Sequence, residues 1–223
     1  MALQIQGANG TVMQVGVEHQ AGRIENRPID AAGLGHYHYA GFTGILPAAL
    51  AANSEIFQFR WADATRFAVI RKINISACVT TTFFAAGVPV QVDLIRSTAW
   101  TVAGTGGTAV TPAALLKKRT SMASTLLAAG DMRIATTAAL GAGTKTLDTY
   151  AEAAIVAAGP ITASLNGQII PAGTILWQSD IGDGEYPLVL AQNEGLSIRS
   201  VAVPATGTWQ ASIAIQWAEV SAY

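Results

Sequence analysis

Charged residues are scarce in this chain. Of its 223 residues, 12% are Asp, Glu, Lys or Arg, whereas about 25% is usual in soluble domains. The 13 basic and 14 acidic residues leave a net charge of −1. Proteins that bind nucleic acid typically have a clear basic excess, and disordered chains combine high net charge with low hydrophobicity. The balance argues against both classes, and we expect no specific nucleic-acid partner.

Long hydrophobic runs are also missing, although 51% of the residues are hydrophobic. A helix that spans a membrane needs about 20 mostly apolar residues in succession. The longest stretch without a charge lies between Glu152 and Asp180, and it contains three glycines and two prolines. Much of the hydrophobicity comes from alanine, which suits close backbone approach as well as a core. We therefore expect no membrane partner.

Cysteine is nearly absent. The single residue, Cys78, excludes an intrachain disulfide. The first seven residues have neither the basic nor the apolar region of a secretory signal, so we expect the chain to fold in a reducing cytoplasm. A chain of this mass can bury about 70% of its unfolded surface, which is enough for one core and one domain.

What the sequence does contain is period-two alternation of apolar residues. From Trp209 to Trp217 the alternation is strict, which predicts a half-buried antiparallel strand. In the segment before it, the apolar residues change from even to odd positions near Ser200, which predicts a β-bulge. Similar segments occur at residues 57–61, at 67–79, where Arg71 interrupts a shared apolar face, and at 88–94. Many short strands are typical of a sandwich or a barrel.

We predict a mainly β fold, an antiparallel β-sandwich that is jelly-roll-like, with a few short helices. Residues 36–223 form the sandwich domain, which carries a Gly/Ala-rich insertion at about 101–160. Residues 1–35 are rich in glycine and form an extended N-terminal arm that orders against a neighbouring subunit. The alternative is a set of loops around one edge strand, residues 11–15.

The insertion has two interpretations. Capping and stop signals predict short helices at residues 111–118, 121–129 and 148–158. The alternative is strand fragments at residues 132–137 and 155–156.

His36 and His38 form the most conspicuous polar motif, because residues i and i+2 of a strand share a face. Two imidazoles on one face can bind zinc or copper if a further ligand is present. The ordinary interpretation places Tyr37 and Tyr39 in the core on the opposite face. A third interpretation is that these histidines and tyrosines line a subunit contact. We predict no metal and keep the two histidines as weak candidates.

No catalytic motif is recognisable. The nucleophile elbow and the P-loop are missing, and Cys78 has no identifiable base. Three consecutive cations at residues 117–119 could contact phosphate, or could complement a helix dipole. We therefore predict that the protein is not an enzyme and needs no cofactor. The residues that we expect to mediate interactions are Thr11, Val15, His36, His38, Lys117, Lys118 and Arg119.

Both ends of the chain resemble a group of tailed-bacteriophage virion proteins. The resemblance is carried by GANGT (7–11), GHYHY (35–39), LAQNEGLSIR (190–199), PATGTW (204–209) and IQWAEV (215–220). It implies a structural component of the virion, assembled in the host cytoplasm, and above all a capsid decoration or cement protein. The implied partners are further copies, as a dimer or trimer, and other virion proteins such as the major capsid protein.

Two alternatives remain open. One is a tail or neck adaptor, or a fibre-base protein, which would differ in its copy number per particle. The other is a carbohydrate-binding β-sandwich for host attachment. The rings that could stack on sugars are Trp61, Trp100, Trp177, Trp209 and Trp217. Trp209 and Trp217 fall on the predicted core face, which favours packing instead.

Overall fold

The computed structural model describes residues 35–47, 49–84, 89–112, 116–158, 167–179, 187–203 and 205–221. These residues form thirteen strands and contain almost no helix. They are β1 (His36–Phe42), β2 (Leu46–Pro47), β3 (Ser54–Trp61), β4 (Phe67–Val79), β5 (Pro89–Val102), β6 (Thr108–Ala109), β7 (Met132–Ile134), β8 (Thr144–Leu147), β9 (Ala153–Ala158), β10 (Gln168–Gln178), β11 (Leu188–Leu190), β12 (Glu194–Ala202) and β13 (Thr208–Val220).

The strands form two antiparallel sheets. The first sheet has the order β1-β13-β4-β10, with β2 beside β13 and β11 beside β4. The second sheet has the order β6-β7-β3-β12-β5-β8, and β9 also pairs with β5. One hydrophobic core contains residues of both sheets. The predicted antiparallel β-sandwich is therefore confirmed, while its jelly-roll connectivity stays a prediction.

Alternation in β13 builds the centre of this core. The strand pairs with β1 on one side and with β4 on the other. The two sheets meet where the Phe59 ring of β3 contacts the Trp217 ring of β13 edge-on, with 5.3 Å between the ring centroids. The predicted inward face of β13 is confirmed, because five alternate residues are fully buried. These residues are Trp209, Ala211, Ile213, Ile215 and Trp217.

The bulge predicted near Ser200 is present. The pairing of β12 with β3 shifts opposite Ile198 and Arg199, where the extra residue, Ile56, belongs to β3. Within β12 the register toward β5 shifts between Ser200 and Ala202, which makes Val201 the extra residue. The extra residue changes which face the following side chains occupy.

The shared apolar face predicted for β4 is confirmed from Ile73 to Val79 but is wrong for the residues before Arg71. A register shift opposite Arg71 leaves Lys72 beside Gln216 and Ile70 beside Trp217. Since one extra residue reverses the side-chain parity, Ile73 stays in the main core while Val69 lies in a small separate cluster with Ala218.

The short helices predicted in the insertion are also wrong. Ala153–Ala158 forms β9 along β5, residues 121–129 are irregular, and the described part of 111–118 contains no α-helix. The strand alternative is confirmed at β7 and β9. Residues 153–158 gain a ladder of backbone hydrogen bonds along β5. This tertiary pairing outweighs the high helix propensity of alanine, because propensity differences amount to less than about 1 kcal/mol per residue.

Thr11 and Val15, with the rest of the predicted arm, lie outside the described residues. The division into an arm and one sandwich domain stays a prediction. No helix in the part of the chain that the structure describes is long and apolar enough to cross a membrane.

Among the described residues, four ion pairs lie on or beside the second sheet. Its shortest pairs have N···O distances of 2.5 to 2.9 Å, and a fourth, more exposed pair measures 3.4 Å. The pairs are Arg60–Asp131, Arg96–Asp148, Lys145–Glu55 and Arg199–Asp93.

The Lys145–Glu55 pair is the most deeply buried of these. The Lys145 ammonium lies 2.5 Å from Glu55 Oε2, 3.0 Å from Ser197 Oγ and 3.8 Å from the centroid of the Trp100 ring. Gln58 donates a further hydrogen bond to the same carboxylate. Burial lowers the pKa of Lys145, and the hydrogen bond that Lys145 donates to Glu55 opposes that shift. The pair thus connects β8 to β3 and β12.

We expect Lys145→Met to destabilise the protein by about 3 kcal/mol, because it leaves the Glu55 carboxylate buried without its counter-charge. The free energy of unfolding in urea measures this loss. The double variant Glu55→Gln/Lys145→Met should recover part of it, since neither charge then remains. If the double variant loses more free energy of unfolding than the two single variants lose together, the structural role of the pair is contradicted.

Candidate functional site

The outer face of the first sheet has an uncharged region across its four main strands. Alternate residues of β1, β13, β4 and β10 lie side by side there, in rows such as Ala40–Ala214–Asn74–Ile175. Phe42 is 71% exposed and Ile175 is 48% exposed. We call this region the uncharged face. It comprises Ala40, Phe42, Asn74, Ser76, Cys78, Gln168, Ile175, Gln210, Ser212 and Ala214.

A shallow groove of about 480 Å³ runs over the uncharged face. Phe42 lines one side of it, and Ala172 and Gln168 of β10 line the other, with Cys78 between them. The Cys78 thiol is free and exposed. It lies on the same face as Ser76 and not in the core.

The next part of the same sheet surface is basic. A cleft of about 310 Å³ opens there, and we call it the basic cleft. Its basic lining residues come from β1, β4 and the segment before β7. The lining residues are His36, Tyr37, Arg71, Lys72, Lys118, Gln178, Ser179, Gln216 and Trp217.

Backbone pairing brings Lys118 to this cleft. The Lys118 amide donates to the His36 carbonyl at 2.9 Å, and Lys117 forms an isolated β-bridge with Tyr37. The Lys118 ammonium then donates to Gln216 Oε1 at 2.7 Å. The structure therefore joins two separately predicted interaction residues, His36 and Lys118.

The other predicted residues of that group do not line the basic cleft. His38 is exposed one row further along β1, and neither Lys117 nor Arg119 contributes to the lining. The helix-dipole explanation for the three cations is wrong, because residues 117–119 have no helical structure.

Two polar atoms at the basic cleft have no hydrogen-bond partner among the described residues. They are His36 Nε2 and Ser179 Oγ, and both atoms are buried. Burial lowers the pKa of His36, and the charges of Arg71 and Lys118 lower it further. The cleft therefore combines positive potential with unused hydrogen-bonding capacity.

A buried carboxylate holds the segment that carries Lys118. Glu219 accepts hydrogen bonds from the Thr125 hydroxyl, from the Leu126 amide and from the Trp217 indole. Tyr37 also donates to the Ala123 carbonyl at 3.1 Å. Burial raises the pKa of Glu219, against the effect of these hydrogen bonds. Residues 123–126 are thus attached to the end of β13 and to β1.

The histidine strand follows its ordinary interpretation. Tyr37 is fully buried, Tyr39 packs against the core, and the histidines share the opposite face. Among the described residues, no group of three His, Cys, Asp or Glu side chains could hold a metal ion.

Most tryptophans are unavailable for stacking on sugars. Trp61, Trp100, Trp209 and Trp217 are fully buried, as alternation predicted for the last two. Trp177 is half-buried and packs against the same core.

Sequence reasoning missed Arg71, Lys72 and Ser179 as members of a common site. The only local signal was the interruption of the β4 alternation by Arg71, which marks the bulge. The pairing of β4 with β10, which adds Ser179, had no such signal.

Comparisons with known proteins give no relative for this chain. No protein-family model, curated protein or solved structure matches it.

Replacing Glu219 should change how stability depends on pH. Because its pKa is raised in the folded state above the ordinary value of 4.5, the folded protein holds this proton more tightly than the unfolded chain does. The stabilising contribution of this group is therefore complete below that ordinary value and is lost as pH rises through the folded pKa. In Glu219→Gln this loss should disappear.

Urea unfolding of the wild type and of Glu219→Gln, at pH values from below 4.5 upward, tests the prediction. Glu152→Gln removes one carboxylate at an exposed position and serves as the matched control. Parallel pH profiles for the wild type and Glu219→Gln would contradict it.

Proposed function

We propose that the protein is a structural component of a bacteriophage particle, a capsid decoration or cement protein that stabilises the head through contacts between subunits. The observation that carries this proposal is the uncharged face of the first sheet. The resemblance of the two chain ends to tailed-phage virion proteins supports it independently. The proposed partners are further copies of the chain and the major capsid protein.

The chemistry of the uncharged face suits contact with protein. The core of a protein interface is depleted in charge and enriched in aromatic residues, and this face offers Phe42 among small uncharged side chains. Sheets that stay in solvent commonly carry charges, which also prevent unwanted pairing of their edges. The second sheet differs from the uncharged face because its described charged residues form four ion pairs, of which Arg96–Asp148 is the most exposed. This difference in charge between the two sheets is expected if other subunits cover the first sheet and solvent surrounds the second.

The size of the uncharged face sets a limit on this contact. Four strands and about five residues along each give an area of about 300 Å², whereas a stable interface buries about 800 Å² on each partner. Further surface must therefore take part. In this proposal the N-terminal arm, residues 1–35, supplies the additional contact surface, because we expect this glycine-rich segment to order against a neighbouring subunit.

A charge in the uncharged face should weaken attachment to the shell. Ala40 is exposed and lies opposite Ala214, so Ala40→Glu adds a carboxylate without disturbing the core. An unpaired charge buried in a contact costs several kcal/mol, and we expect binding to shells stripped of this protein to weaken by more than about tenfold. Co-sedimentation with such shells measures the affinity.

Ala109→Glu is the matched control. It makes the same substitution at an exposed strand position of the second sheet, beside Arg133, and should bind as the wild type does. Equal binding of both variants would contradict the assignment of this face. A wild-type protein that is monomeric by light scattering and does not bind shells would overturn the decoration role. About a dozen copies per particle would instead indicate the tail or neck.

A further inference from the structure

We propose that the basic cleft is a binding site for a compact oxyanion, that is, a phosphate or carboxylate group. The inference concerns the isolated protein and stands whether or not the chain is part of a virion. It follows from the charges that line the cleft, from the unused polar atoms within it and from its size.

The lining of the cleft is one-sided in charge. Lys72 approaches from β4, Lys118 from the segment beside β1, and Arg71 from the bulge in β4. None of the described residues that line the cleft is acidic. Asp180, which follows Ser179 in the sequence, lies outside the described residues. Burial is the main cause of the lowered pKa of His36, and the charges of Arg71 and Lys118 lower it further.

The polar atoms in the cleft are suited to an acceptor ligand. Ser179 is 9% exposed, and its buried hydroxyl has no partner in the described structure. His36 Nε2 is also buried and has no hydrogen-bond partner among the described residues. It can donate an N–H when the other ring nitrogen is unprotonated. Buried donors without partners cost free energy. An oxyanion would accept a hydrogen bond from the Lys118 ammonium, and from both of these groups when their side chains turn toward the cleft.

The volume of the cleft agrees with a small group. At about 30 Å³ per water molecule in the liquid, a space of about 310 Å³ corresponds to about ten waters, which is enough for one oxyanion with waters around it. The same cations oppose a metal ion at His36, because a second positive charge there would be repelled.

The test uses the imidazole NMR signals of the full-length protein, titrated with inorganic phosphate. The His36 signals can be assigned with His38→Asn and His19→Asn variants, since the chain has three histidines. Sodium chloride at matched ionic strength separates binding from screening. A parallel titration with acetate distinguishes a carboxylate ligand from a phosphate ligand.

We expect a saturable shift of the His36 signals with phosphate, with acetate or with both, and none with sodium chloride. Lys118→Ala should weaken the binding by about tenfold, because it removes a charged hydrogen-bond donor. Lys117→Ala is the matched control, since the neighbouring side chain does not line the cleft, and it should bind as the wild type does. A linear response equal to that of sodium chloride, or equal weakening in both variants, would overturn the proposal.

Discussion

Every second side chain of β13 is buried between the two sheets, and this constraint determines what the first sheet presents to its surroundings. Trp209 and Trp217 mark the ends of the buried row, and both neighbouring strands are held in register with it over most of their length. Because side chains alternate between faces, burial of one row places Gln210, Ser212 and Ala214 on the outside. The uncharged face is therefore a direct consequence of how the core is packed.

Charge is distributed around this frame in two different ways. On the second sheet, acids and bases neutralise each other in partly buried pairs, of which Lys145–Glu55 is the deepest. On the first sheet, the cations Lys72 and Lys118 meet at one cleft with no described acidic neighbour in its lining. The low overall charge of the chain thus conceals a marked difference between its two faces. We infer that one sheet is built for stability and the other for contact.

Strand positions could be predicted because burial imposes a local period of two, which is visible in β3, β5 and β13. The site could not be predicted to the same extent. The β4 bulge at Arg71 reverses parity with a single residue, and the approach of Lys118 to His36 depends on a backbone pairing between distant segments. The helices expected in the insertion failed for a related reason. Alanine-rich segments accept either conformation, and the open edge of β5 decided for β9 in favour of a strand.

The reactivity of Cys78 tests the central claim, that the uncharged face is covered in the assembled particle, most directly. Cys78 is the only cysteine of the chain and its side chain is exposed on that face. A thiol-reactive probe should label the folded, dissociated protein readily and label the protein in intact particles far more slowly. Equal labelling rates in the two states would contradict the account.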